Sequence, residues 1–203
     1  MNKNLLFKLK FSLLFTLLFV IAGTVNAALP KVLVLAADDD SYIADVQTKL
    51  MSTAMFSQVD IINTISGTPD VATLESYDAI LVYTNNWPND TAQLGNNLAE
   101  YIENGGGVVD AVFENASMPL GGKFDSIAYR CLIPLDQSDG TELTLDSILL
   151  PNHPLMKDIL SFDNGPSSYV STSDSLAPGA YAVALYNNKA ICIAARENVG
   201  LLL

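Results

Sequence analysis

Three acids in succession, Asp38-Asp39-Asp40, close one apolar run of this 203-residue chain, and Asn85-Asn86-Trp87 closes another. Glu114-Asn115 follows a third run, Val108 to Phe113. Carboxylates beside amides offer oxygen ligands to a divalent cation or paired hydrogen bonds to a polar ligand, and an exposed Trp ring stacks on a sugar face. Such loops gain meaning only if the runs are neighbouring parallel strands, because ligands of open α/β sheets sit beyond the carboxyl ends of the strands, where strand order reverses. The plainer alternative is that the acids favour the N-terminus of a following helix and stay solvated.

Other reactive types are sparse. The only His, His153, stands before Pro154 as either a general base or a turn residue, and no carboxylate or nucleophile lies near it in sequence. Cys131 and Cys192 are the only thiols. They either pair as a disulfide or remain buried small hydrophobes, and the apolar run Ala190 to Ala194 around Cys192 favours the second. Gly105-Gly106-Gly107 precedes a run, whereas a phosphate cradle follows a strand and opens a helix, so it reads as a helix stop. No spacing of metal ligands occurs, and no cofactor is expected.

The intervening sequence supplies elements that can position the loops. Lys31 to Ala36 is a continuous apolar run of the kind that forms a buried parallel strand. Ser41 is the expected cap of a helix in which Ile43, Val46, Leu50 and Met51 recur at helical spacing, up to about Met55. Val59 to Ile62 and Ala79 to Tyr83 read as further strands, with a turn at Ser66 to Asp70. Thr91 to Glu103 reads as a helix capped by Asn104 and Gly105. Met118 to Pro134 is expected to be mostly loop with one short helix, and Glu142 to Leu149 a strand. Ala182 to Tyr186 and Lys189 to Ala195 flank Asn187-Asn188, two residues able to take positive φ, which predicts a hairpin. Strands alternating with helices imply βαβ units and a parallel sheet covered on both faces.

Charge and targeting narrow the function. The chain has 10 basic and 22 acidic residues, a net charge of −12. Lys3, Lys8 and Lys10 precede the apolar stretch Phe11 to Ala22, and Val25-Asn26-Ala27 supplies small residues for cleavage, so residues 1–27 read as an export signal. The rival reading is an uncleaved anchor. Removing that segment, with its three lysines and no acid, takes the net charge to −15. Such a charge disfavours nucleic acid and anionic membrane surfaces. The expected mature protein is one domain, residues 28–203, secreted or periplasmic, with no membrane association after cleavage. The apolar ending Val199 to Leu203 reads as a short strand or as the first turn of an uncompleted helix.

Two resemblances add to this. The opening is similar to a response-regulator receiver domain, although the place of the phosphate-accepting acid falls at about Tyr83. From Lys31 to about Arg196 the match is wider. Leu74-Glu75-Ser76-Tyr77-Asp78-Ala79-Ile80-Leu81, then Leu98 to Asn104 leading into Gly105-Gly106-Gly107-Val108-Val109, resembles the class I glutamine amidotransferase-like superfamily, in particular its secreted ThuA-like members. Asn152-His153-Pro154 resembles a further step of that pattern. The resemblance implies an α/β flavodoxin-like three-layer sandwich with a mainly parallel sheet and a C-terminal β-hairpin. The family nucleophile would follow the strand ending near Phe113, yet Asp110 to Glu114 contains neither Cys nor Ser. The family pattern also continues past Lys189 to Ala195 into a loop and closing helix, so the domain reads as C-terminally short.

The combined expectation is an exported, non-catalytic amidotransferase-like domain. It would bind a small molecule, carbohydrate or protein through Asp38, Asp39, Asp40, Asn85, Asn86, Trp87 and Glu114. The alternatives are an extracellular carbohydrate-active hydrolase using Asp38, Asp40 and Glu114, or an inactive truncated product.

Overall fold

A computed structural model describes residues 28–111, 117–133, 137–138, 142–166, 170–171 and 175–197. The expected export signal (residues 1–27), Glu114, the end of the run into Phe113, and the ending Val199 to Leu203 lie outside the described residues.

Four parallel strands form the main sheet: β1 (Lys31–Ala37), β2 (Gln58–Asn63), β3 (Ala79–Thr84) and β4 (Gly107–Asp110), in the order β2-β1-β3-β4. Lys31 pairs with Gln58, Val34 with Leu81, and Leu81 with Val109. Helix α1 (Asp40–Ser52) connects β1 to β2, the short α2 (Val71–Leu74) lies between β2 and β3, and α3 (Thr91–Glu103) connects β3 to β4. The order reverses between β1 and β3, as in a flavodoxin-like α/β fold.

The uninterrupted apolar run of β1 follows from its central place, with both faces covered. On one face Leu33, Leu35, Ile80 and Val82 pack with Leu74 of α2 and Leu94, Leu98 and Tyr101 of α3. On the other, Val34, Ala36 and Val59 meet Ile43, with Val46 and Leu50, from α1. Each fully buried Leu or Val contributes about 1.5–3 kcal/mol through burial.

A second unit follows. Strands β6 (Leu145–Ile148), β8 (Ala180–Tyr186) and β9 (Ile191–Arg196) form an antiparallel sheet in the order β6-β8-β9. Two-residue strands β5 (Gln137–Ser138) and β7 (Val170–Ser171) pair separately. One-turn 3₁₀ helices occupy Lys123–Asp125 and Pro154–Met156.

Several boundaries differ from the sequence reading, each for a local reason. Ser41 is not the cap of α1. The N-cap lies two residues earlier, at Asp39, whose carbonyl accepts the first helical N–H groups, from Tyr42 and Ile43, and whose side chain makes no capping bond. The helix stops at Ser52 rather than near Met55: the Ser52 and Thr53 hydroxyls turn back to the carbonyls of Lys49 and Leu50, and Ala54 takes φ +55°. The strand expected over Glu142 to Leu149 shortens to Leu145–Ile148. In the β8–β9 hairpin the left-handed residue is Lys189, at φ +74°, rather than either Asn. Tyr186 bonds Ala190, which leaves a three-residue loop, and that loop needs its left-handed residue in the last position.

One glycine is fixed by contact. A Cβ on Gly95 of α3 would stand 2.0 Å from the Gly121 carbonyl oxygen. Gly95→Ala is expected to lower stability by about 2–3 kcal/mol, as overpacking against immobile backbone does. Urea midpoints of the two proteins check this.

Candidate functional site

At the end of β1 the chain leaves the sheet through Asp38, a buried carboxylate at 7% relative exposure. Its Oδ1 accepts from the Asp39 backbone N–H at 2.8 Å and from Asn85 Nδ2 at 3.1 Å. Its main-chain carbonyl accepts from Asn63 Nδ2 at 2.9 Å, and the same amide nitrogen donates to Asp40 Oδ1 at 2.8 Å. Asp38 therefore joins the ends of β1, β2 and β3. Among the described residues no donor reaches its other carboxylate oxygen.

The loop after β3 is held by backbone. Asn85 N and Asn86 N both donate to the Ala37 carbonyl at 2.9 Å, and Asn89 N donates to the Thr64 carbonyl at 2.8 Å. Pro88 is buried, whereas Trp87 is 58% exposed. Tyr42 in the first turn of α1 and Ile65 just beyond β2 are exposed at the same edge. The edge thus carries apolar side chains around a polar centre.

Of the residues singled out from sequence, Asp38, Asp40, Asn85 and Asn86 are brought together, with Trp87 beside them. Asp39 is exposed, and its side chain does not cap α1. Among the described residues no group of three or more His, Cys, Asp or Glu side chains converges to hold a metal ion. The helix-start explanation of the acid cluster accounts for Asp39 and Asp40 but not for buried Asp38.

Two participants were missed. Asn63 bridges Asp38 and Asp40, and its signal was an amide at the carboxyl end of a strand beside the reversal point. Tyr83, the penultimate residue of β3, has a hydroxyl that is shielded from solvent and has no hydrogen-bond partner among the described residues. Burial, reinforced by the Asp38 charge, pushes that phenol up to about 12.

The remaining reactive groups serve the fold. His153 Nδ1 accepts from Leu155 N at 3.2 Å, capping the Pro154–Met156 turn. That bond places the ring proton on Nε2, which faces the Tyr181 hydroxyl at 3.1 Å; Tyr181 in turn donates to Glu197 at 3.3 Å. Both ring nitrogens are thus engaged in holding the turn. Cys131 and Cys192 are free thiols, and burial raises both. Arg196 stands near Cys131, whereas Cys192 packs with Tyr186 and Ala190, so the thiols sit toward opposite ends of the β8–β9 hairpin.

A cavity of about 380 Å³ lies at the other edge of the main sheet, lined by Glu75, Tyr77, Asp78, Tyr101, Asn104 and Gly105 among others. Its polar groups are largely committed to the fold: Lys31 N donates to Asp78 at 2.7 Å, Asn104 to Glu75 at 2.7 Å, and the Tyr101 hydroxyl to the Tyr77 carbonyl at 3.1 Å. Among the described residues no helix is long and apolar enough to cross a membrane. The chain matches no family model, no curated protein and no solved structure.

The lone Tyr83 hydroxyl gives a direct test. Tyr83→Phe keeps the ring and removes an unsatisfied polar atom, so stability is expected to be unchanged or to rise by up to about 1 kcal/mol. The fold favours the neutral phenol. Its stabilisation is therefore complete below the ordinary phenol value of 10 and is lost as pH rises toward about 12. The variant should lose one late step in an alkaline phenolate titration.

Proposed function

We propose that the chain is an exported, non-catalytic domain of the class I glutamine amidotransferase-like kind, similar to its ThuA-like members. It binds a small polar ligand at the edge formed by Asp38, Asn63, Asn85 and Asn86, with Trp87 as an apolar wall. The observation that carries this reading is Asp38. Burying a carboxylate costs several kcal/mol unless it is hydrogen-bonded. Here one oxygen is fixed by two donors while no described group reaches the other. A ligand hydroxyl or amide N–H suits that oxygen, and the exposed carboxylates of Asp39 and Asp40 disfavour an anion.

The non-catalytic part rests on chemistry. No Cys or Ser occupies Asp110 to Glu114, the only His has both ring nitrogens engaged, and burial disfavours the thiolate of both cysteines. The export part rests on Lys3, Lys8, Lys10 and the apolar stretch after them.

Trp87 is the only Trp, so its fluorescence reports this loop alone. In a panel of neutral sugars, polyols and amides, a bound member should shift that emission and raise the melting midpoint together. Asp38→Asn should weaken binding by about tenfold or more, the scale of a lost charge-assisted hydrogen bond. A ligand that raises the midpoint equally in Trp87→Ala and Asp38→Asn binds elsewhere, and the site assignment then fails.

A further inference from the structure

A charge buried in a protein is normally paired with an opposite charge or held on a metal. Buried Asp38 has no such partner among the described residues. The two donors to its carboxylate, the Asp39 N–H and the Asn85 amide, are both neutral. All seven basic residues beyond the export segment are described, and none bonds it. Lys31, Lys49, Lys123, Arg130 and Lys189 pair with Asp60, Asp45, Glu103, Asp125 and Asp146. Arg196 holds the carbonyls of Ile127 and Arg130, and Lys157 closes the Pro154–Met156 turn of the antiparallel unit.

More acid surrounds Asp38. Asp39 and Asp40 follow it, and one Asn63 amide nitrogen joins the Asp38 carbonyl to the Asp40 carboxylate. Asp90, at the end of the loop after β3, caps α3 through Gln93 N at 2.9 Å. The N-termini of α1 and α3 oppose these four carboxylates, each with about half a positive charge, so the edge keeps a net charge of about −3.

Two exposed aromatic residues stand beside the acids. Tyr42 lies in the first turn of α1, its N–H on the Asp39 carbonyl at 3.0 Å, and Trp87 follows Asn86 in the loop after β3. Carboxylates and ring faces both attract cations. A bare metal ion would need a converging set of ligands, which the described residues do not supply. An ammonium group needs only a free acceptor and an aromatic wall, and acids on both sides of Asp38 suit a second ammonium on the same molecule. We infer that the ligand of this edge is a small organic diammonium ion, a free di- or polyamine, with one N–H donating to the open oxygen of Asp38. The inference rests on the ligand-binding reading of this edge and adds the ligand's charge.

The test compares 1,4-diammoniobutane with 1,4-butanediol, the same carbon skeleton without charge, by Trp87 emission and the melting midpoint of the purified protein. The diammonium should bind at least about tenfold more tightly than the diol, and more weakly as salt rises. Asp38→Asn should weaken it at least about tenfold. Glu100→Gln removes the same charge from an exposed position in the second half of α3 and should leave binding unchanged. Nα-acetyl-lysine amide, which presents one ammonium as a peptide does, should bind less tightly than the diammonium. The charged and uncharged pair decides even where Asp38→Asn folds poorly. Equal binding of diol and diammonium, both weakened by Asp38→Asn, overturns the inference and leaves the ligand site standing. A diammonium that has no effect on the parent overturns it too, and so does one bound equally by the parent and both variants; the neutral panel then decides the ligand reading by itself. Tighter binding of the lysine amide overturns the assignment to a free amine.

Discussion

The last two carbonyls of β1 organise the polar edge at Asp38. Ala36 accepts the Thr64 backbone N–H and hydroxyl, while Ala37 accepts both Asn85 N and Asn86 N. The loops leaving β2 and β3 are thereby tied to the same short piece of the central strand. That strand contributes no reactive side chain before Asp38. Its role is to be fully buried and straight, so that its backbone acceptors stand where the neighbouring strands end. Weakening the packing under Leu33 or Leu35 would move the acceptors, and the polar edge with them.

Burial makes Asp38 different from the two acids after it. Asp39 and Asp40 remain at the surface, where solvent screens them. Asp38 depends on a backbone N–H and an amide for one oxygen, and its charge reaches the Tyr83 phenol through a protein interior. A carboxylate oxygen that no described donor reaches and a shielded hydroxyl without a partner among the described residues therefore occur at one strand reversal. Polar groups of this kind are costly to keep unless something else satisfies them.

The parallel half was legible in the sequence because its signals are local. Continuous apolar runs marked β1 and β3, and the spacing of Leu94, Leu98, Tyr101 and Ile102 marked α3 to the residue. The reversal between β1 and β3 then placed Asp38 beside Asn85. What escaped were details set by tertiary contacts. Asn63 looked like an ordinary strand end, and the lack of a partner for Tyr83 is a property of the packed core rather than of any spacing. The hairpin was legible, but its left-handed residue was not, since residue preference pointed to Asn while the pairing of Tyr186 with Ala190 required it at Lys189. The second sheet was harder throughout, because short strands and 3₁₀ turns carry little periodicity.

The two sheets have separate apolar clusters. Those around β1 draw on residues up to Tyr129, while those of the antiparallel unit begin at Leu143. A clear tie between the halves is the Arg196 guanidinium, which reaches the carbonyls of Ile127 and Arg130. A chain made from its N-terminus onward can therefore lay β2 and then β3 against β1, and β4 against β3, before any strand of the second sheet exists. The polar edge at Asp38 is complete at that stage. The later half is joined to the earlier one by the arginine clasp together with the backbone pairing of Cys131 and Ile133 with Ala177 and Ser175.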